Sequence, residues 1–388
     1  MKKNYFMLAA ATMMFAACAE TDLVNEIAVE ETPQAIGFET FANKVTRAEN
    51  STANYSGDLS NHHESFTVWG YKNVSDDKVF NGVTVSYTNQ VWDYVTNDVS
   101  AVYWDKAASK YEFYAAAPTK ADFWTLNPNT DDDQADDYFT TAEFTVESHN
   151  AANNYVESAT QSFKRVNNAE DLMIAEKTTV NKPANSTFSG NVSLNFIHIL
   201  SRLNVTVKTS IANVTVTMIE VGNINSEGTF SEYVQGLTEA SIKAGTTQRW
   251  NLVEAITDDA ASTTTPAPVI SYINNTSKAL TKDANAIIAI EALVMPQIAG
   301  KEYIDIDATT FLEKVEPYLY IEYKIKNEVY KRAYNLADVF NGETDTTLAF
   351  NEGWQNTLNL TIGGDKISFT TSVALWDESA TDENGTIQ

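Results

Sequence analysis

One cysteine, four histidines and a run of aspartates are the residues of this 388-residue chain from which site chemistry could be built. Cys18 follows the positive pair Lys2-Lys3 and the mostly apolar stretch Tyr5–Ala17, with Ala16 and Ala17 directly before it. Thirteen residues are too few to cross a bilayer as a helix, so residues 1–17 read as a removable export signal. Phe15-Ala-Ala-Cys18 resembles a bacterial lipobox, which makes Cys18 the expected lipidation site, carrying palmitate-type acyl chains. A lipidated Cys18 leaves no thiol for a disulfide or a nucleophile. His62, His63, His149 and His198 are scattered, without H-E-x-x-H or any zinc-ligand spacing. Asp131–Asp133 with Asp136 and Asp137 lack the turn glycine of a calcium loop, so a solvated loop is expected. Nucleophile-elbow, phosphate-loop and dinucleotide motifs are missing. Paired carboxylates for glycoside hydrolysis depend on a separation in space, and nothing in the sequence singles out a pair. The expectation is a protein with no catalytic residue, no cofactor and no metal: not an enzyme.

Composition narrows the partners. The formal net charge is −26, and loss of a leader carrying Lys2 and Lys3 would make the chain more acidic still. Such a surface repels phosphate backbones, and no basic patch offsets it, so nucleic acid is excluded as a partner. A hydrophobic content of 43% argues against wholesale disorder, and 15 Gly with 8 Pro is too few for a low-complexity chain. The length allows two sizeable cores.

The elements that would position any site are strands. In Asn191–His198 the apolar residues Val192, Leu194 and Phe196 sit on even positions, while Leu203, Val205 and Val207 sit on odd ones. Period-two alternation marks a strand with one buried face, and a change of phase means a bulge or a passage between sheets near Ile197–Leu200. Earlier, Ala19–Pro33 is an acidic tether, Gln34–Phe41 a short strand, and the residues on to Asn61 a polar linker. Phe66–Tyr71, a hairpin of Val83–Tyr87 with Gln90–Val95 around Thr88-Asn89, and Tyr111–Ala117 before Pro118 follow. Their aromatic residues alternate, which favours core packing over sugar stacking. Ser148–Lys164 reads as a surface loop. Asn213–Val221, Gln248–Leu252 and Ala286–Gln297 come next, the last apolar on both faces and so expected to be a central strand. A hairpin of Tyr318–Ile325 with Val329–Tyr334 and a helical turn at Leu336–Phe340 precede a terminal hairpin, in which Leu358, Leu360 and Ile362 alternate before Gly363-Gly364 and Ile367, Phe369 and Val373 after it. The reading is all-β: 1–17 signal, 18–33 tether, 34–209 and 210–388 two β-sandwich domains.

Several stretches carry a family resemblance: Asp171-Leu-Met-Ile-Ala175, Asn191–Val207, the Ile36-Gly-Phe38 start with Thr46-Arg-Ala48 after it, Phe66–Tyr71, Tyr111–Pro118 and Leu293–Gln297. Together they resemble the fimbrillin family, the type V pilins of Bacteroidetes-type bacteria. The resemblance implies two tandem transthyretin-like β-sandwich domains and a lipoprotein of the outer membrane that assembles into a surface fimbrium. It implies that an arginine-specific protease cuts after Arg47, leaving Ala48 as the new N-terminus and releasing the first strand. Its implied partners are other fimbrial subunits, joined head to tail through the C-terminal strands, with a tip or accessory role among the options. The rival reading is a lipid-anchored adhesin or glycan-binding module that never polymerises and meets a host or glycan ligand.

Overall fold

Alternating and doubly apolar segments become strands throughout the computed structural model of the protein. The described residues are 33–42, 63–73, 77–96, 99–127, 138–145, 149–150, 156–157, 163–164, 171–184, 186–233, 238–244, 249–253, 256–258, 263–265, 269–275, 277–299, 317–341, 348–364 and 366–375. The fold is all-β, with short helices only at Glu239–Ala244 and Leu336–Asn341 among the described residues.

An eight-stranded sheet dominates the N-terminal half. Across it run Gly37–Ala42, Asn191–His198, Met173–Ala175, Lys110–Ala117, Ser65–Lys72, Lys78–Thr88 and Val91–Asp93, with Thr178–Asn181 also paired to Lys110–Ala117. Its middle strands are buried on both faces, which is why they read as nearly continuous apolar runs. Phe66, Val68, Tyr111, Phe113, Ala115, Met173, Leu194 and Phe196 face one core, closed by Ile36, Phe38, Phe80, Trp92, Tyr94, Trp104 and Phe188. Trp69, Tyr71, Tyr114, Ala116, Leu172, Ile174 and Ile197 face the other way, into a core shared with the C-terminal half. Most of the described aromatic residues of this half are core, as their alternation suggested, Tyr103 being exposed.

The phase change is a passage between sheets. Asn191–His198 belongs to the first sheet, whereas Ser201–Thr209 lies between Ile287–Val294 and Trp354–Ile362 in a four-stranded sheet that ends on Ile367–Leu375. The corner backbone is satisfied from both sides: Ile199 N donates to Leu172 O at 2.9 Å, Trp250 Nε1 to Ile199 O at 2.7 Å, and Gly353 N to Leu200 O at 2.9 Å. His198, fully buried, sets Nδ1 3.0 Å from Asp171 Oδ1, so the two ends of the Asp171–His198 stretch meet. Asp171→Ala should therefore lower unfolding stability by about 1–3 kcal/mol, the usual cost of stripping a partner from a buried polar group. Urea unfolding of the variant checks this; a change of a few tenths would mean that the pair is incidental.

Three local expectations are corrected. The first hairpin turns at Asn89-Gln90, one residue later than the Thr88-Asn89 reading, with Thr88 opposite Val91 and both turn residues at positive φ (53° and 67°), as a two-residue primed turn requires. Ile287–Val294 is an edge strand, not a central one. It is nonetheless enclosed: Tyr272 Oη donates to Leu293 O at 2.7 Å and Asn274 Nδ2 to Ala289 O at 2.8 Å, so side chains of Val269–Asn274 satisfy carbonyls along this strand. Within Ser148–Lys164, His149–Asn150 adds to the edge of Val269–Asn274, and Val156–Glu157 pairs with Phe163–Lys164; edge backbone, more than side-chain pattern, recruits such two-residue strands. Tyr318–Ile325 pairs with Glu328–Asn335, the expected hairpin with Glu328 already in the strand and the turn reduced to Lys326-Asn327, and Leu336–Asn341 is the helical turn.

Candidate assembly site

Gly37–Ala42 is the edge strand of the first sheet. It runs parallel to Asn191–His198, with Gly37 opposite Asn191, Phe38 opposite Val192, Thr40 opposite Leu194 and Ala42 opposite Phe196. Just before it, Ile36 N donates to Val102 O at 2.8 Å and Trp104 N to Gln34 O at 3.0 Å, an antiparallel bridge centred on Ala35 and Tyr103. The segment thus crosses from one partner strand to another within a few residues.

Although it lies at an edge, this strand fills the core. Ile36 is 1% exposed, and Phe38 and Thr40 are 4% exposed each. The Phe38 ring makes edge-to-face contacts with Phe66, Phe80, Tyr94 and Phe113 at centroid distances of 6.0, 5.4, 5.9 and 6.0 Å. Such geometry sets each ring edge against a neighbour's electron-rich face, adding to what burial alone provides. Tyr94 pins the approach: its hydroxyl donates to Ile36 O at 3.0 Å and accepts from Val102 N at 3.0 Å. Burial pushes the Tyr94 phenol above its ordinary range, which keeps it a donor. Nothing in the sequence around Asp93-Tyr94 marked that clamp, because its partners are backbone atoms, which no residue type announces.

Between this strand and Val91–Asp93 lies a cleft of about 560 Å³, lined by Gly37–Phe41, by Tyr87 and Gln90–Trp92, and by Asn191. The two ends of the sheet, Gly37–Ala42 and Val91–Asp93, therefore face each other across a gap instead of closing. Val91, Val95 and Tyr103 are exposed, at 57, 48 and 53%.

The last strand, Ile367–Leu375, pairs antiparallel with Trp354–Ile362 along its whole length, from Ile362 opposite Ile367 to Trp354 opposite Leu375. It too is an edge. Ile367 is buried, Phe369 packs edge-to-face on Tyr334 at 4.8 Å, Thr371 Oγ1 donates to Phe340 O at 3.3 Å, and Val373 is 48% exposed. The terminal hairpin is thus folded back onto its own half. Trp354–Ile362, its partner, runs parallel to Ser201–Thr209 directly after the corner.

Cys18, Arg47 and Ala48 lie outside the described residues, as do His62 and the Asp131–Asp137 cluster. His63 and His198 stand in unrelated places, the second in the corner with Asp171. Among the described residues no group of three or more His, Cys, Asp or Glu side chains is placed to hold a metal ion, and no helix is long and apolar enough to cross a membrane.

A family model described as fimbrillin-like matches residues 46–376. No curated protein matches the chain. Among solved structures, a fimbrial protein from Bacteroides vulgatus ATCC 8482 is similar at 16% identity, with 88% of this chain and 99% of that one covered and a TM-score of 0.48. A candidate cell adhesion protein from Bacteroides uniformis ATCC 8492 is similar at 15% identity, with 88% and 99% covered and a TM-score of 0.43. With most of its length under the family match, from the linker after the first strand to the end of the terminal hairpin, the chain belongs to the fimbrillin-like family.

Proposed function

We propose that the chain is a structural subunit of a cell-surface fimbrium, exported as a lipoprotein, held at the outer membrane through Cys18 until it is cleaved, and then joined to its neighbours by strand exchange. Cleavage after Arg47 would release Gly37–Ala42 with the residues before it. A groove would then lie open along Asn191–His198, walled by Phe66, Phe80, Tyr94 and Phe113, with a row of unpaired backbone groups down one side. A neighbour's C-terminal strand would supply both the hydrogen bonds and the alternating side chains. Because donor and acceptor are different surfaces, the contact is head to tail and can propagate as a filament. The role is structural and non-enzymatic.

One observation carries this reading: an edge strand, bonded to the sheet on one side only, supplies a buried phenylalanine that four other rings of the core surround. An edge strand can leave without cutting the sheet in two, yet this one cannot leave without baring an apolar slot. The experiment is treatment of the purified chain with an arginine-specific protease, followed by electrophoresis without boiling. A ladder of oligomers that needs cleavage is the expected result. A monomer that persists after complete cleavage, and melts at a higher temperature with a sugar, would replace this reading with that of a lipid-anchored binding module.

A further inference from the structure

We infer that the outer edge of Glu328–Asn335 is a lateral contact between two copies of this chain, which pair these strands antiparallel about a two-fold axis at Tyr330. The contact lies in the C-terminal half, needs no cleavage and releases no strand. It goes beyond the strand-exchange reading and is tested apart from it.

Glu328–Asn335 ends the six-stranded sheet, and no described strand pairs with its outer side. Ile325 and Glu328 close the two-residue turn Lys326-Asn327 as a hydrogen-bonded pair, and Tyr330 opposite Tyr323 and Arg332 opposite Ile321 repeat that pairing. Val329, Lys331 and Ala333 therefore turn their N–H and C=O outward. One of those carbonyls is covered by a side chain of its own strand: Arg332 Nη1 donates to Lys331 O at 2.9 Å. Val329 is 50% exposed, and Glu328, Lys331 and Arg332 are exposed beside it.

Charge on an edge ordinarily discourages pairing. Here it selects one register. With Tyr330 opposite the second copy's Tyr330, each Glu328 faces an Arg332 and each Lys331 faces a Val329. Glu328 and Arg332 then form non-hydrogen-bonded pairs, whose Cα atoms approach to about 4.5 Å, and opposite charges so placed stabilise a sheet. Lys331 needs no partner from the other copy, since its Nζ already lies 3.2 Å from Glu322 Oε2. Val329 N of one copy takes over Lys331 O of the other, which frees the Arg332 guanidinium for the Glu328 carboxylate. Centring the pair on Lys331 or Arg332 instead sets like charges face to face, and centring it on Val329 shortens the overlap and loses both ion pairs. At the axis, Tyr330 already stacks on Tyr323 at 5.3 Å and 15°, so the two copies join their stacks into one aromatic row.

The local charge also permits approach. Tyr318–Asn335 carries Lys324, Lys326, Lys331 and Arg332 against Glu322 and Glu328, in a chain of net charge −26, so repulsion between copies is reduced on this side. The overlap, Glu328 to Arg332 of each copy, is small beside a standard interface. The pair is therefore weak in dilute solution and gains from repetition where many copies lie side by side, as along neighbouring filaments.

The test uses an uncleaved Cys18→Ser chain with Tyr330→Cys as its one cysteine, which the two-fold axis sets against itself at a separation a disulfide spans. Mild oxidation should give a disulfide-linked dimer several-fold faster than Val95→Cys, an exposed position of the other half, in the same background. Glu328→Arg or Arg332→Glu added singly should cut the yield several-fold, and the two together should restore it, because the double reversal re-forms both ion pairs. Sedimentation of the same charge variants with Tyr330 kept reads the association without the cysteine. Cross-linking no faster than at Val95, or indifferent to the single reversals, would overturn the contact, and a loss that the double reversal leaves unrepaired would overturn the register. A dimer that appears only after arginine-specific cleavage would assign the association to strand exchange and overturn the lateral contact. An uncleaved chain that dimerises, while the cleaved one forms no ladder, would remove strand exchange and support this inference.

Discussion

Phe38→Ala is expected to destabilise the uncleaved chain by about 3–5 kcal/mol, the range for removing a fully enclosed phenylalanine. The loss combines burial with four edge-to-face contacts, and the cavity left between Phe66, Phe80, Tyr94 and Phe113 has little room to collapse, because those rings also pack on one another and on Trp104 and Phe196. Phe41→Ala, on the opposite and half-exposed side of the same strand, is the control and should cost far less. Denaturant unfolding followed by tryptophan fluorescence measures both. The Phe38 variant also bears on assembly: a weakened plug should let the uncleaved chain oligomerise slowly, which the uncleaved parent should not do. A cost below about 1 kcal/mol for Phe38→Ala would mean that the first strand is an ornament on the sheet and not its plug.

Arg249→Ala is expected to be of similar size, about 3–5 kcal/mol, for an electrostatic reason. Arg249 is 5% exposed and Glu352 3% exposed. Arg249 N donates to Glu352 Oε1 at 2.9 Å, its Nη1 lies 3.5 Å from Glu352 Oε2, its Nε 3.0 Å from Glu232 Oε2, and its Nη2 donates to Ser241 Oγ at 3.1 Å. Burial holds the Glu352 carboxyl above its ordinary range, with Arg249 pulling the other way. Removing the guanidinium leaves a buried carboxylate with less to offset its desolvation. The sign of the pH dependence follows. A carboxyl whose pKa is raised on folding binds its proton more tightly in the folded state, so its contribution is most favourable at low pH and is lost as the pH rises through the raised value. The penalty in Arg249→Ala should therefore be smaller in mildly acidic than in mildly alkaline buffer. Replacing both residues, Arg249→Met with Glu352→Leu, should cost much less than the single change, since no buried charge of that pair is stranded. A pH-independent penalty would show that Glu352 is not the group responsible. The site matters to the proposed assembly because Glu352 leads into Trp354–Ile362, the strand that holds the donor, and Trp250 beside Arg249 closes the corner.

Much of this architecture was legible because burial on one face writes itself into the sequence with a period of two. The terminal hairpin, the strand pair Tyr318–Ile325 with Glu328–Asn335, and the switch of sheets after His198 all follow from that pattern, the last because a phase change cannot be accommodated in one regular strand. The first strand was legible as a strand from Ile36 and Phe38. Its place at the edge of the sheet, parallel to Asn191–His198, was not, since a strand's place in a sheet depends on hydrogen bonds to residues far along the chain. Ile287–Val294 shows the same limit from the other side: it is apolar on both faces, like a central strand, yet it sits at an edge with side chains of another strand bonded to its carbonyls.

The sequence by itself determined the class of structure, the family, and the residues that could carry chemistry, because residue type, spacing and alternation are properties of the linear chain. Only the tertiary structure decided that Gly37–Ala42 runs parallel to Asn191–His198, that Phe38 is ringed by four aromatic side chains from separate parts of the chain, and that a cleft separates the two ends of the sheet. Alternation reports which side of a strand is buried, but not against what; the partner is chosen by long-range packing, in which the enclosure of one ring is settled jointly by Phe66, Phe80, Tyr94 and Phe113.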